Sequence, residues 1–199
     1  MRFRRPNAIV FDDNGNLYFS DSFQGAFFRI DDARTRATPC PVVTVKHDGL
    51  LGTAGFPPFG ANGLAVKGSL LFIANTGDDR VLRLDLASGA RSVFAESING
   101  ADGLALHEGN LVVAANQADE IVLLNDAGRI VAKVGDLAGI KRDGSARGLL
   151  FPASLAILRG FAYVTNLALP LTAAVGDEPE EDVTLYTVSR IRLRNPSDD

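Results

Sequence analysis

The chain has 199 residues, 46% of them hydrophobic, one cysteine, and a formal net charge of −4 from 20 Lys and Arg set against 24 Asp and Glu. With no basic stripe to displace counterions from a phosphate backbone, nucleic acid is not expected as a partner. Cys40 alone excludes an internal disulfide and a paired-cysteine metal or redox site, and it reads as a small apolar residue.

MRFRRPNAIVFDD opens on basic residues, but only Ala8 to Phe11 follow as an apolar run, too short for a signal-peptide core. No later run approaches the ~20 residues that cross a bilayer, so the chain reads as soluble with no membrane partner. Its compartment stays open, since a longer precursor could be exported. The length suits one domain spanning residues 1–199.

Strand-like runs then recur in a fixed order. PNAIVF (6–11), GNLYFSDS (15–22), GAFFRID (25–31) and PVVTVKHD (41–48) form a first set. ANGLAV (61–66), GSLLFIANT (68–76), DRVLRLDL (79–86) and RSVFAES (91–97) form a second, and ADGLAL (101–106), GNLVVAANQ (109–117), DEIVLLND (119–126) and RIVAKVGD (129–136) a third. PASLAI (152–157) and GFAYVTNL (160–167) begin a fourth, which resumes at SRIRLR (189–194) after the acidic insertion GDEPEED (176–182). The runs are short, rich in Val, Leu, Ile and Phe, and bounded by Gly, Asp and Asn, which is strand and hairpin chemistry.

Repeats over 6–48, 61–96, 101–136 and 152–194 place a four-stranded unit at close to the ~40 to 50 residues of a propeller blade. LYF, LLFI and LVV are apolar at consecutive positions, so both faces of these strands should be covered, as in stacked sheets. The expected fold is all-β: a β-propeller with four recognisable blades, the last stopping after its third strand. An open arc of blades leaves edges unpaired, and self-association through those edges is expected.

RPNAIVFDDNGNLYFSDS, ANGLAV, ADGLAL and LVVAANQADEIVLLNDAGR resemble the successive blade openings of the gluconolactonase/regucalcin (senescence marker protein-like) family, over essentially the whole chain. The resemblance implies a six-bladed propeller with a divalent metal, usually calcium, at the mouth of the central tunnel, and hydrolysis of lactones or related small esters. It implies ligands at the start of successive innermost strands, where this chain has Asn7, Asn62 and Asp102. The fourth copy carries Ala153 at that position, and the family's acidic Glu ligand would precede Met1, so about two N-terminal blades are missing relative to the family.

Innermost propeller strands run side by side around an axis, so residues at one repeat position converge. Two amide oxygens and a carboxylate make a hard oxygen set suited to Ca2+ or Mg2+ rather than to zinc. A cation there would polarise an ester carbonyl, and Asp102, the one acid, would serve as ligand and as acceptor of the attacking water's proton. Asn and Asp also begin strands by bonding local backbone in turns, which is the competing explanation for all three. A non-catalytic NHL-like binding propeller, or a degenerate truncated paralogue, is the alternative function.

Other polar clusters carry less. DDNGN (12–16) lacks the rest of an EF-hand loop and reads as a β-turn, and NDAG (125–128) repeats it. Asp21, Asn75, Asn116 and Asn166 follow the second strand of each copy and read mainly as strand-end residues. His47 and His107 lie away from the expected ligand end, and the insertion reads as a solvated loop. No GxSxG, HExxH or Walker motif occurs.

Overall fold

The computed structural model describes residues 3–37, 41–47, 49–172 and 176–193, with backbone only at 44–47. Cys40 and the last residue of SRIRLR lie outside the described residues. The chain divides into two compact units, Met1–Leu104 and Ala105–Asp199.

The first unit contains two four-stranded antiparallel meanders. One runs β1 (Pro6–Phe11), β2 (Leu17–Asp21), β3 (Ala26–Ile30), β4 (Val43–His47), and the next β5 (Ala61–Lys67), β6 (Leu70–Asn75), β7 (Arg80–Asp85), β8 (Arg91–Ala95). Phe27, Leu71, Ile73, Leu82 and Leu51 pack together in the core of this unit. The second strands are apolar at consecutive positions because both of their faces are covered: five successive residues of β6, Leu71 to Asn75, are buried. β1, by contrast, alternates exposed and half-buried residues from Asn7 onward, with Ile9 69% exposed.

The second unit opens within β9 (Ala101–His107), followed by β10 (Asn110–Ala115), β11 (Glu120–Leu124) and β12 (Ile130–Val134) in a third meander. A two-stranded hairpin, β13 (Leu137–Ile140) and β14 (Ala146–Gly148), intervenes where no strand was expected. A three-stranded sheet follows, β15 (Pro152–Leu158), β16 (Phe161–Asn166) and β17 (Val188–Arg192). Val112, Ile121, Leu149 and Val164 form its main core.

These up-and-down sheets follow the repeat spans closely, and the fold is all-β and propeller-like. Among the described residues, no helix is long and apolar enough to cross a membrane.

Turn chemistry accounts for the polar clusters between strands. In DDNGN, Gly15 donates its N–H to the Asp12 carbonyl at 3.1 Å, and the Asp12 carboxylate accepts from Asn16 N at 2.9 Å and Asn16 Nδ2 at 2.8 Å. NDAG repeats the turn, with Gly128 N on Asn125 O at 2.9 Å and Ala127 N on Asn125 Oδ1 at 3.0 Å. Within the insertion only a single short 3-10 turn forms, Pro179–Asp182, none of it buried.

Candidate functional site

Asn7, Asn62 and Asp102 each occupy the second residue of the first strand of a meander, and all three belong to the first unit. In β1, Pro6 faces Asp21 and Ile9 faces Phe19, so Asn7 and Ala8 together oppose Ser20 alone. In β5, Ala61 faces Asn75 and Leu64 faces Ile73, so Asn62 and Gly63 oppose Ala74. The fourth copy keeps the irregularity, with Ala153 and Ser154 opposite Thr165.

Two residues against one is a β-bulge, a device that breaks the in-and-out alternation and re-aims a side chain. In β1 and β5 it falls on the position where the family resemblance implies a ligand. A bulge also frees a backbone N–H, and opposing hydroxyls take it up: Ala8 N donates to Ser20 Oγ at 3.1 Å, and Ser154 N to Thr165 Oγ1 at 3.0 Å.

The amide of Asn62 is oriented by its neighbours. Asn62 is 3% exposed, and its Nδ2 donates to Thr76 Oγ1 at 2.9 Å. Thr76, fully buried, donates its hydroxyl to the Ala101 carbonyl at 2.7 Å. A hydroxyl carries one proton, so Thr76 can only accept from Asn62, and the nitrogen end of the amide must face it. The oxygen end is thereby turned away, and Asn62 Oδ1 is buried without a hydrogen-bond partner.

An orphaned acceptor of this kind costs about 1 to 3 kcal/mol. Asn7 repeats the device from an exposed position, its Nδ2 donating to Ser22 Oγ at 3.1 Å. Asp102 is half-buried.

Hydroxyls also tie the first strands of successive sheets together. Ser20 donates to the Asn62 carbonyl at 2.7 Å, joining β1 and β2 to β5, and Thr76 joins β5 and β6 to β9 through Ala101. β5 and β9 approach so closely that a Cβ on Gly63 would lie 2.0 Å from the Asp102 carbonyl oxygen. This approach is the physical reason for glycine after Asn62 in ANGLAV.

The residues after the second strands are grips on backbone. Asp21, fully buried, accepts from Arg4 N at 2.6 Å, Arg5 N at 3.0 Å, Gln24 N at 3.1 Å and Gln24 Nε2 at 2.8 Å. Burial is the largest single influence on its carboxyl and pushes it up, but these hydrogen bonds together outweigh burial and hold it below the usual carboxylate range. Asn75 donates to Leu50 O at 2.9 Å and Gly52 O at 2.8 Å, and Asn166 accepts from Leu150 N at 3.1 Å. The strand-end reading of these positions holds.

Phe23 follows Ser22, the partner of Asn7, in the chain and belongs to an aromatic pair. Phe23 and Phe59 stack with centroids 5.5 Å apart, and the Arg5 guanidinium sits 5.0 Å from the Phe23 ring centre. His107 ends β9 at the opposite end from Asp102, with its Nε2 3.8 Å from Glu108 Oε2.

In the second unit, Asp119 accepts from Phe151 N at 2.7 Å. Burial, the largest influence, raises its carboxyl above the usual range, the Phe151 hydrogen bond opposes this, and the nearby Asp136 charge adds to it. Among the described residues no three His, Cys, Asp or Glu side chains group as a metal site, so a cation in the first unit would depend on amide oxygens.

Ser20, Ser22 and Thr76, the hydroxyls that hold these strand starts, are the residues that sequence reasoning passed over. Their signal was available: a hydroxyl follows the strand-end Asp21 and Asn75 in two successive copies.

No family model and no curated protein matches the sequence. Among solved structures, Kuenenia stuttgartiensis hydrazine synthase is similar with a TM-score of 0.60 at 13% identity, over 96% of this chain and 47% of that one. The computationally designed Ika4 protein gives 0.57 at 12% identity over 98% and 94% of the two chains, and a nidogen/laminin complex gives 0.55 at 16% over 81% and 72%. The chain thus spans about half the length of the matched hydrazine synthase chain. At these identities the likeness is one of fold alone.

Proposed function

We propose that the starts of β1, β5 and β9, the first two of them bulged, form a divalent-cation site, and that the protein is a calcium-dependent hydrolase of lactones or related small esters, of the gluconolactonase kind. The observation that carries this reading is the orphaned Asn62 Oδ1, a buried carbonyl oxygen whose amide is held nitrogen-first against Thr76. Asn75 Oδ1 is buried and open in the same way, but Asn62 stands at the repeated strand start, where a ligand shared with Asn7 and Asp102 would satisfy it. A hard cation does so, as amide carbonyls are common Ca2+ ligands.

Asn7, Asn62 and Asp102 fit such an ion by donor chemistry. When bound, it would supply Lewis-acid polarisation of the ester carbonyl. Asn62 and Asn7 hold neutral oxygens, and Asp102, the single carboxylate, accepts the proton of the attacking water. The Phe23–Phe59 stack, reached through Ser22, the residue that bonds Asn7, would offer an apolar wall for the body of a small ester.

A second reading, a non-catalytic propeller binding module, is favoured by the single carboxylate in the set, which leaves the ion's charge poorly balanced. The two separate in one experiment. Calcium binding by calorimetry and hydrolysis of simple γ- and δ-lactones are measured for the wild type and for Asp102→Ala. The enzyme reading expects calcium-dependent turnover that Asp102→Ala removes. Calcium binding without turnover selects the binding module, and a wild type that does neither at millimolar calcium ends the cation-site reading.

A further inference from the structure

We propose that the outer edge of β17 is a docking site for an extended acidic segment of a partner protein, which adds a fourth strand to the last sheet. Three meanders have four strands, whereas the sheet β15-β16-β17 has three. Its ladder fixes which backbone groups are left over. Leu193 N donates to Gly160 O at 2.9 Å and Asn166 N to Thr187 O at 3.0 Å, so the odd-numbered residues of this stretch bond toward β16.

The backbone N–H and C=O of Val188, Arg190 and Arg192 therefore point the other way. They have no hydrogen-bond partner among the described residues. An open edge of this kind is a template for strand addition, with main-chain bonds giving affinity and flanking side chains giving selectivity.

A groove of about 440 Å³ runs along this edge, between Thr187–Ile191 on one side and Asp136, Ala146 and Gly148 on the other. Lys141 and Arg190 line it, against one carboxylate, Asp136, and Arg192 continues the same edge. The Arg190 guanidinium is held 4.8 Å from the Phe161 ring centre, which keeps the charge over the exposed face of the sheet.

This charge selects the occupant. Antiparallel pairing of β17 with β17 of a second copy, centred on Arg190, would place Arg190 opposite itself, and like charges directly opposite destabilise a sheet pair. A strand bearing Glu or Asp at alternate positions meets Arg190 and Arg192 with opposite charge instead.

The probe is an acetylated heptapeptide of alternating Glu and Val, with a Lys/Val peptide of the same pattern as control. Binding is followed by fluorescence anisotropy, and strand addition by amide exchange at Val188, Arg190 and Arg192. The acidic peptide is expected to slow exchange at these three amides, and Arg190→Glu to weaken binding by about tenfold.

Arg190→Pro, which removes an outward N–H at an edge where proline is tolerated, should abolish the protection while circular dichroism stays unchanged. If that variant unfolds, Arg190→Glu carries the test alone. Equal binding of the Lys/Val peptide, or no protection with the acidic peptide at millimolar concentration, overturns the proposal. So does protection that rises with protein concentration in the absence of peptide, which would mean self-pairing.

Discussion

Thr76→Val tests the orientation argument for Asn62 most directly. Valine keeps the shape of threonine and deletes only the hydroxyl, at a position with no solvent exposure. Two buried groups lose a partner together: Asn62 Nδ2, bonded at 2.9 Å, and the Ala101 carbonyl, bonded at 2.7 Å. At about 1 to 3 kcal/mol for each stranded group, the loss should be roughly 2 to 6 kcal/mol. For a chain of this size that is a fall in Tm of about 4 to 24 °C by differential scanning calorimetry.

Thr76→Ser keeps the hydroxyl and should lose only about 1 kcal/mol, for the methyl. A fall of less than about 2 °C for Thr76→Val, or an equal loss for Thr76→Ser, would show that the hydroxyl does not hold the amide, and the inference about the free oxygen would go with it. If the oxygen does serve a cation, the wild type should gain stability with added calcium as RT ln(1 + [L]/Kd), and Thr76→Val should gain less.

Gly63→Ala drives a methyl into backbone at the Asp102 carbonyl, where no side chain can give way; a loss of about 3 kcal/mol or more is expected in chemical denaturation. Asp21→Asn replaces one of two acceptor oxygens by an NH2 facing backbone donors and should cost about 1 to 3 kcal/mol near neutral pH. Because Asp21 has a folded pKa below its unfolded one, its stabilisation is present above pH ~4 and is lost as pH falls through the folded value, so variant and wild type should converge in acid.

Asp119 has the opposite sign. Its folded pKa is raised, so wild-type stability falls as pH rises from the ordinary aspartate value through the folded one. Asp119→Asn, which keeps an acceptor for Phe151 N, should therefore be more stable than wild type at pH ~7, with the difference gone below pH ~4. An unchanged gap across that range in either aspartate variant would refute the linkage.

The repeat made most of the fold legible. ANGLAV and ADGLAL carry one strand twice, and the Gly and Asn turns around LLFIAN and LVVAAN bound the next, so strand limits fall within a residue or two of their expected places. What repeats in a sequence is readable because the copies check one another. The hairpin β13–β14 has no copy to be checked against, and its short LAGI and ARG segments show neither alternation nor an apolar run.

At the candidate site, the residues were visible and their setting was not. A bulge leaves no mark in a single strand, because it is a relation between Asn62–Gly63 and Ala74 across the ladder. The amide orientation at Asn62 likewise depends on Thr76 and Ala101, which lie 14 residues apart or more along the chain from one bonded partner to the next.

The hydroxyls behind the bulges also change how the repeat can vary. Each first-strand tip has a companion just past the second strand: Asn7 with Ser22 and Asn62 with Thr76 in contact, and Asp102 with Gln117 and Ala153 with Leu167 at the corresponding sequence positions. In sequence an amide is matched with a hydroxyl, an acid with an amide, and a methyl with an isobutyl group. In the first two copies the tip is thus one half of a two-residue cassette, to be transplanted whole. Grafting Asp and Gln together onto positions 62 and 76 would relocate the negative charge from one sheet to its neighbour, whereas either letter moved alone would arrive without its counterpart.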